Sequence, residues 1–338
     1  MFTKENCNQI DELLKNAESV IITTHRNPDG DALGSTLGLQ LFLKKYYKVK
    51  TIVMVPDAFP TFLNWMPNIK DIVIFDQNPS ENSERLNEAS VIFCLDYNNP
   101  SRTADMEKSL VSSNSIKIML DHHQHPDGFV NYTWSDTSAS STCEILYRFA
   151  AQMSWLSSID IEIAACIYTG IMTDTGSFRF PVTTSETFRI ISHLKETGLK
   201  HWKIHELLFN QNSFNKLQLW GYALGQAMVN LPEISTTYIA LNAESLSKYN
   251  YKEGDTEGLV NYALSVEGSV LGILLSEKDG KIRISFRSTG SFSVNKLSRE
   301  NFEGGGHENA AGGVSYLSMQ DTIDKLLRVL YNIPELKK

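Results

Sequence analysis

Short runs of apolar residues recur along the first half of the chain, and they restrict its fold more than any other feature. The runs are continuous rather than alternating, and a helical pattern lies between the first two, where Leu33, Leu37 and Leu41 are spaced four residues apart. Apolar strands that alternate with helices indicate a parallel sheet with both faces covered, so we predict an α/β fold. The runs are SVIITT (19–24), KTIVMV (50–55), DIVIF (71–75), SVIFCL (90–95) and IKIML (116–120).

The rest of the chain predicts a helical region and then a second domain. Helical periodicity dominates from about residue 138, and FNKLQLWGYALGQAM (214–228) is predicted to be a connecting helix. Strand patterns restart with STTYIAL, SVLGILLSE and KIRISFRS. At 338 residues the chain exceeds one ordinary core. We therefore predict a first domain over 1–212, a connecting segment over 213–232 and a smaller mixed α/β domain over 233–338.

Charge and cysteine content narrow the class of protein. The net charge of −8 argues against a broad basic surface for long nucleic acid, although bound cations would still allow a small anionic substrate. The four cysteines form no CxxC motif, which is typical of reduced thiols. The N-terminal residues lack the apolar core of a signal peptide, and the apolar runs are too short to span a bilayer. We predict a cytoplasmic protein with no membrane partner.

Acidic and imidazole side chains follow three of the predicted strands. His25 comes after the first run, Asp96 after the fourth, and the triplet 121–123 (DHH) after the fifth. The carboxyl ends of parallel strands share one edge of a sheet, where ligands bind, so we expect these side chains to meet. Asp174 ends an apolar helix, where the helix dipole disfavours an acid unless a cation or solvent is nearby.

Each of these motifs also has an ordinary explanation. NPDGD is a common turn sequence with Asp31 as a helix N-cap, Asp96 can initiate a turn, and a His-His pair is often a surface feature. Their joint occurrence at three strand ends favours a metal site. Oxygen and imidazole ligands without thiolate favour Mn²⁺ or Mg²⁺ over structural zinc. The candidates exceed what one ion needs, so two ions that share a carboxylate are expected.

The motifs HRNPDGDALGS, DYNNPSR, DHHQHP and TDTGSF, in this order, resemble those of the DHH phosphoesterase superfamily. GGGHENAAGG (304–313) resembles the signature of its accessory DHHA1 domain. The likeness is strongest to bacterial oligoribonucleases that also act on adenosine 3′,5′-bisphosphate (pAp). It implies a parallel-sheet DHH domain, a smaller DHHA1 domain and an active site in the cleft between them. It also implies Mn²⁺-dependent hydrolysis of short oligoribonucleotides to mononucleotides, and of pAp to AMP.

The resemblance further implies a role for each site residue. A hydroxide between two Mn²⁺ ions, which Mg²⁺ or Co²⁺ could replace, would be the nucleophile. Asp121 would orient the adjoining histidines, and His123 would face the phosphate or protonate the leaving group. The metal ligands implied are His25, Asp29 and Asp96 for one ion, and Asp31, Asp96, His122 and Asp174 for the other.

The second domain carries candidate phosphate ligands. Glycines 304–306 can expose backbone N–H groups to an anion, and His307 adds a side-chain donor. Alone, GGGH would indicate a flexible loop; with SFRS in the same domain and the family likeness, it favours binding of a phosphate or a terminal nucleotide. Arg102 is a weaker candidate that could equally be a surface residue. The substrate-binding candidates are Gly305, Gly306, His307, Arg287, Ser288 and Arg102.

Other functions stay open at this point. The same pair of domains also resembles phosphodiesterases that cleave cyclic di-AMP or linear pApA. The motifs do not distinguish these phosphodiesterases from oligoribonucleases. A nucleotide-binding module without catalytic activity is a further alternative, although every expected metal ligand is present. The expected partners are short oligoribonucleotides and small phosphorylated nucleotides rather than long nucleic acid. A homodimer is compatible with the sequence.

Overall fold

The computed structural model describes residues 1–210 and 212–337. They belong to two compact units, Met1–Gln211 and Asn212–Lys338. Among the described residues, none of the helices combines the length and apolar character needed to cross a membrane.

The first unit is built on a six-stranded parallel sheet, as the apolar runs predict. Its strands are arranged in the order β3-β2-β1-β4-β5-β6. Residues of β1 alternate between two apolar clusters, Val20 and Ile22 in one and Ile21 in the other, so both faces of the sheet are covered. The strands are β1 (Ser19–Thr23), β2 (Lys50–Val55), β3 (Val73–Ile74), β4 (Val91–Leu95), β5 (Ile116–Asp121) and β6 (Tyr132–Ser135).

The strand order changes direction between β1 and β4, and this position determines where a site can form. From β1 the chain adds β2 and β3 on one side, then continues with β4, β5 and β6 on the other. Loops that leave adjacent strands toward opposite sides open a crevice at the carboxyl ends of the strands. The loops after β1 and β4 flank this crevice.

Two details of the sheet differ from the sequence prediction. The run DIVIF pairs only through Val73 and Ile74, so β3 is much shorter than its apolar run. Strand β6 was not predicted, because only Trp134 of its four residues is fully buried and the segment lacks a continuous apolar run. Edge strands bury less side-chain surface, and their sequence signal is correspondingly weaker.

Helix α2 is buried along almost its whole length and packs closely against α6. A Cβ atom on Gly34 would lie 2.5 Å from the carbonyl oxygen of Cys166, so only glycine permits this approach. The helices of the first unit are α1 (Lys4–Asn16), α2 (Gly30–Tyr46), α3 (Pro79–Glu88), α4 (Glu107–Ser112), α5 (Thr142–Gln152), α6 (Ile161–Asp174), α7 (Ser185–Glu196) and α8 (His201–Phe209).

The second unit is a mixed α/β structure with its own six-stranded sheet, of order β11-β12-β10-β9-β8-β7. All neighbouring strands are antiparallel except β8 and β9. Its elements are α9 (Phe214–Gly225), β7 (Met228–Leu231), β8 (Thr236–Leu241), α10 (Ala243–Lys248), α11 (Leu259–Leu264), β9 (Leu271–Lys278), β10 (Lys281–Ser288), α12 (Val294–Asn301), β11 (Gly305–His307), β12 (Ala310–Ser315) and α13 (Met319–Leu330).

One segment of this unit folds differently from the prediction, and a second excludes the ordinary explanation of its motif. The helix expected over 214–228 ends at Gly225, and Met228–Leu231 forms an edge strand paired with β8. The glycine-rich segment is not a flexible loop. Gly305–His307 forms the edge strand β11, which pairs with β12 through a tight connection. Gly306, at φ 147°, adopts a backbone conformation that a residue with a Cβ rarely takes.

Candidate metal centre

The side chains predicted from three strand ends do meet at the carboxyl edge of the first sheet. His25 follows β1, Asp96 follows β4, and Asp121 is the last residue of β5. A backbone hydrogen bond from Arg26 N–H to the Arg102 carbonyl (2.8 Å) ties the loop after β1 to the loop after β4. These are the loops that flank the crevice where the strand order changes, so the topology itself gathers the acidic and imidazole groups.

Asp96 lies at the centre of this group, and its two carboxylate oxygens face different histidines. Oδ2 is 3.2 Å from His25 Nε2, whereas Oδ1 is 3.4 Å from His122 Nε2. The side chain is buried, and its backbone has φ 65°, a conformation that Asp and Asn adopt more readily than most residues. One carboxylate with an imidazole beside each oxygen is the arrangement expected of a ligand shared by two ions.

In the part of the chain that the structure describes, three sets of side chains that could each hold a cation include Asp96: two match the predicted ligands, and the third is Asp96, Asp121 and His123. Each set offers ligand atoms that lie within 4.8 Å of one another. Asp174 adds a further carboxylate to the second set, with Oδ2 at 3.3 Å from His122 Nε2. Ligands of one divalent ion at about 2.1 Å lie about 3 Å apart, so these separations suit a shared ion. The first set is His25, Asp29 and Asp96; the second is Asp31, Asp96 and His122.

The N-cap residue of α2 differs from the one that the sequence predicts. Asp29, not Asp31, is the N-cap, because its Oδ1 accepts hydrogen bonds from the N–H groups of Asp31 (3.0 Å) and Ala32 (3.1 Å). Asp31 lies in the first turn with its side chain completely buried. Gly30 separates the two acids, and a Cβ there would lie 2.5 Å from Thr173 Oγ1. The absence of a side chain at Gly30 therefore allows α2 to pack closely on α6.

Asp121 and His123 form a separate pair beside the shared carboxylate. The His123 ring Nδ1 lies 2.8 Å from Asp121 Oδ1, and the His123 backbone N–H donates to Asp121 Oδ2 at 3.0 Å. Burial and the positive charge of Arg102 lower the pKa of His123 well below its usual value. The triplet thus combines His122, turned toward Asp96 and Asp174, with His123, held by Asp121.

The carboxylates of this centre are too crowded to ionise independently, which supports cation binding. Burial, with the charges of Asp96 and Asp174, raises the pKa of Asp31 well above its usual value. Burial, with the charges of Asp29 and Asp96, raises the pKa of Asp174 to about 7, although His122 opposes the rise. Divalent cations would neutralise this repulsion, and the donor set of carboxylate and imidazole fits Mn²⁺ or Mg²⁺.

Metal affinity is expected to increase with pH because a cation must displace protons from this cluster. Because the pKa of Asp174 is about 7, this side chain is mostly protonated below pH 7, and its deprotonated form is the one that binds metal. We expect the association constant for Mn²⁺ to increase by up to about tenfold per pH unit between pH 6 and 7 as Asp174 loses its proton, and to keep increasing above pH 7 because the pKa of the ligand His122 is also raised. Calorimetric titration in buffers of different ionisation enthalpy measures the protons released; a pH-independent affinity would contradict the arrangement.

The second unit carries the other predicted site residues on its sheet. Arg287 lies on β10 and donates from Nη1 to the Phe286 carbonyl at 2.9 Å. Ser288 Oγ donates to the Phe292 carbonyl at 2.6 Å and accepts from Asn309 Nδ2 at 2.9 Å, which gives this serine a structural part in the following turn. Asn295 Nδ2 donates to the Gly306 carbonyl, which links α12 to β11. Gly305 and His307 lie on the same edge strand.

Arg102 lies in the first unit, close to His123, rather than on an exposed surface away from the metal centre. It is half-buried, and its buried Nη1 has no hydrogen-bond partner within residues 1–210 and 212–337. Its charge also lowers the pKa of the nearby His123. A buried cationic donor without a hydrogen-bond partner destabilises the fold unless a ligand accepts its hydrogen bond. The position of Arg102 is therefore compatible with binding of an anion.

Sequence reasoning missed the residues that fix the carboxylates. Thr142 and Cys143 donate backbone hydrogen bonds to Asp31, and the Thr142 hydroxyl donates to Asp96. The pattern Ser141-x-x-Glu144 indicates a helix N-terminus at this position. It carries no signal that this N-terminus would reach the acidic residues more than 40 positions earlier.

Comparison with known proteins agrees with this architecture. An exopolyphosphatase-related protein from Bacteroides fragilis has the same fold, with a TM-score of 0.93 and 38% identity over 97% of this chain and 96% of that one. The bifunctional oligoribonuclease and PAP phosphatase NrnA of Bacillus subtilis is 28% identical over 92% of this chain and 93% of its own length. The NrnA of Thermus thermophilus is 29% identical over 96% and 94%, respectively.

Other relatives share only part of their length with this chain. The cyclic-di-AMP phosphodiesterase PdeA of Listeria monocytogenes is 25% identical over 95% of this chain, but the match spans 48% of that protein. The likeness to these two NrnA proteins therefore extends over more than 90% of both chains, whereas the likeness to this phosphodiesterase covers about half of the larger protein.

A parallel sheet with carboxylate and imidazole groups gathered beyond its strand ends, followed by a smaller mixed domain, is the architecture of a phosphoesterase class of enzymes. The family models define it further: residues 19–171 match the N-terminal domain of the DHH family, and residues 235–333 match the DHHA1 domain. The chain belongs to the DHH phosphoesterase family, as its motifs indicated.

Proposed function

We propose that this protein is a two-metal phosphoesterase that hydrolyses short oligoribonucleotides to mononucleotides and converts pAp to AMP. The observation that carries the proposal is the Asp96 carboxylate, whose oxygens face His25 at 3.2 Å and His122 at 3.4 Å. The likeness to NrnA proteins along both chains supports the substrate class. Two divalent cations, when bound, would activate water and neutralise charge on the phosphate.

The chain's own residues would orient the metal ligands and the phosphate. Asp121, at 2.8 Å from His123 Nδ1, would fix the orientation of the ring so that its other nitrogen faces the substrate phosphate group and the water around it. The low pKa of His123 keeps its ring neutral near pH 7, with the proton on Nδ1 directed to Asp121, so that Nε2 would act as a hydrogen-bond acceptor. Arg102, with an unpartnered buried Nη1, would bind a phosphate oxygen. The protein supplies no side-chain nucleophile in this proposal.

We propose Mn²⁺ as the ion, with Mg²⁺ or Co²⁺ as substitutes, because the ligands are oxygen and imidazole without thiolate. The second unit would bind the end of the substrate through Arg287, Ser288, Gly305, Gly306 and His307. In this proposal 1–212 is the catalytic domain and 233–338 the substrate-binding domain. The net charge of −8 supports substrates of a few nucleotides rather than long polymers. Four free cysteines, all buried, support a cytoplasmic location.

Product analysis with a panel of substrates tests the function. The metal-free protein would be loaded with Mn²⁺ and incubated with RNA of two to five nucleotides, a longer RNA, pAp, pApA and cyclic di-AMP. Fastest release of mononucleotides from the short RNAs, together with formation of AMP from pAp, is expected. Faster cleavage of cyclic di-AMP would assign the protein to the phosphodiesterases instead. Metal binding without turnover of any substrate would indicate a nucleotide-binding module.

Replacing Arg287 by Ala is expected to weaken substrate binding more than turnover. Removal of a guanidinium that contacts phosphate should raise KM for a diribonucleotide by about 10- to 100-fold and leave kcat within about threefold. The matched control is Arg283→Ala on the same strand, since Arg283 lies near Asp279 (3.7 Å) at the hairpin end. Equal KM values for the two variants would exclude Arg287 from the binding site.

A further inference from the structure

The N-terminus of α5 contacts both the shared carboxylate of Asp96 and the fully buried carboxylate of Asp31. The backbone N–H of Thr142 donates to Asp31 Oδ2 at 2.6 Å, and the N–H of Cys143 donates to Asp31 Oδ1 at 2.8 Å. The Thr142 hydroxyl donates to Asp96 Oδ1 at 2.9 Å. Thr142, Cys143 and Asp31 have no exposed surface, so water does not compete for these bonds.

The two backbone bonds hold Asp31 in one orientation. The first N–H groups of a helix have no partner within it and carry the positive end of the helix dipole. Here they bind both oxygens of one carboxylate, which restricts its rotation. Asp31 is therefore fixed before any cation binds.

The hydroxyl bond acts on only one half of the shared carboxylate. Thr142 has a single O–H to donate, and it points to Oδ1, the oxygen that lies 3.4 Å from His122 Nε2. The other oxygen, Oδ2, lies 3.2 Å from His25 Nε2. A carboxylate oxygen accepts along two lone-pair directions, so the hydroxyl occupies one at Oδ1 and leaves the second for a cation beside His122.

A buried network keeps this end of α5 in place. Ser141 caps the helix by accepting from Glu144 N–H at 3.1 Å. The fully buried Glu144 carboxylate forms an ion pair with Arg148 and accepts hydrogen bonds from Ser140 Oγ (2.5 Å) and Thr187 Oγ1 (2.9 Å). These contacts join the start of α5 to α7. The donors that face Asp31 and Asp96 are thus part of a rigid element.

We propose that Thr142 is a positioning residue of the metal centre, whose hydroxyl orients Asp96 for the cation held with Asp31 and His122 and has little effect on the cation held with His25 and Asp29. The proposal rests on the proposed two-metal function. It predicts an unequal response of the two cation sites to loss of one hydroxyl group.

Binding of Mn²⁺ to Thr142→Val tests this, because Val keeps the shape and both backbone donors but removes the hydroxyl. The wild-type protein should bind two ions by calorimetry, with stoichiometry checked by elemental analysis. In T142V the affinity of one site should fall by about 10- to 100-fold while the other stays within about threefold. Thr142→Ser, which restores the hydroxyl, should recover most of the lost affinity.

The matched control is Thr36→Val, a buried threonine of α2 whose hydroxyl donates to the Ala32 carbonyl at 2.9 Å. It should bind both ions like the wild type. Circular dichroism and thermal unfolding establish that each variant is folded, and Thr142→Ala replaces T142V if the latter does not fold. Wild-type affinity at both sites in the hydroxyl-deficient variant, or equal weakening of both, would overturn the positioning role. A wild-type protein that binds no Mn²⁺ would refute the two-metal function itself, a result distinguishable from either.

Discussion

Replacing Asp96 by Asn is expected to lower kcat by about a thousandfold or more, because both cation sites include this carboxylate. An amide has one acceptor oxygen and no charge, so it cannot serve a cation on each side. The backbone of residue 96 has φ 65°, which Asn tolerates as well as Asp, so the fold should persist. Hydrogen bonds from His122 and His25 outweigh burial and hold the pKa of Asp96 well below its usual value, so the substitution removes a favourably paired charge and the unfolding temperature without metal should decrease.

Hydrolysis of a diribonucleotide, metal stoichiometry and thermal unfolding would be measured together for this variant. Asp279→Asn is the matched control, since Asp279 has a similar φ of 52° but lies exposed at the β9–β10 hairpin. The control should retain wild-type turnover and bind two ions. Unchanged turnover in D96N would contradict the two-metal mechanism, whatever its effect on stability.

Replacing Gly34 by Ala is expected to destabilise the first unit by about 2–3 kcal/mol, because the added methyl group overpacks the contact between α2 and α6. The new Cβ would lie 2.5 Å from the Cys166 carbonyl oxygen and 2.9 Å from Cys143 Sγ. The first of these atoms belongs to backbone, so relief requires the two helices to separate. Asp31 lies in the first turn of α2 and Asp174 ends α6, so we also expect Mn²⁺ affinity to fall by about tenfold.

Gly38→Ala on the same helix provides the control for this prediction. Its Cβ would meet the Leu146 Cδ2 atom at 3.1 Å, a flexible side-chain end that can shift. The gain in helix propensity, up to about 1 kcal/mol, should offset much of that contact. Urea unfolding of both variants gives the difference in free energy. If G34A were as stable as G38A, the close helix approach would not constrain the sequence.

The acidic and imidazole residues of the candidate metal centre were predictable because they occupy positions that the sheet fixes. A continuous apolar run identifies a buried parallel strand, and the residue that follows it must emerge at the carboxyl edge. This argument alone places His25 and Asp96 at that edge. The order of the motifs then indicated the family, to which the matched domains assign the chain.

The second unit shows where local pattern is insufficient. Taken alone, GGGH indicates a flexible loop, whereas the structure has a three-residue edge strand from Gly305 to His307. Glycine carries no side chain whose burial could reveal a strand, so its pairing with β12 leaves no periodic signal. The end of α9 at Gly225 and the start of β7 at Met228 were missed for a similar reason, since β7 is a half-exposed edge strand.

The sequence by itself determined the parallel sheet, the pair of domains and the identity of the acidic and imidazole residues, because hydrophobic periodicity reports burial and strand ends converge in a parallel sheet. Only the tertiary structure decided that Asp96 faces a histidine with each oxygen, that Asp29 rather than Asp31 caps α2, and that the α5 N-terminus binds Asp31. The contact between Thr142 and Asp31 joins residues 111 positions apart. Such pairings depend on how helices pack on the sheet, which no local pattern in the chain encodes.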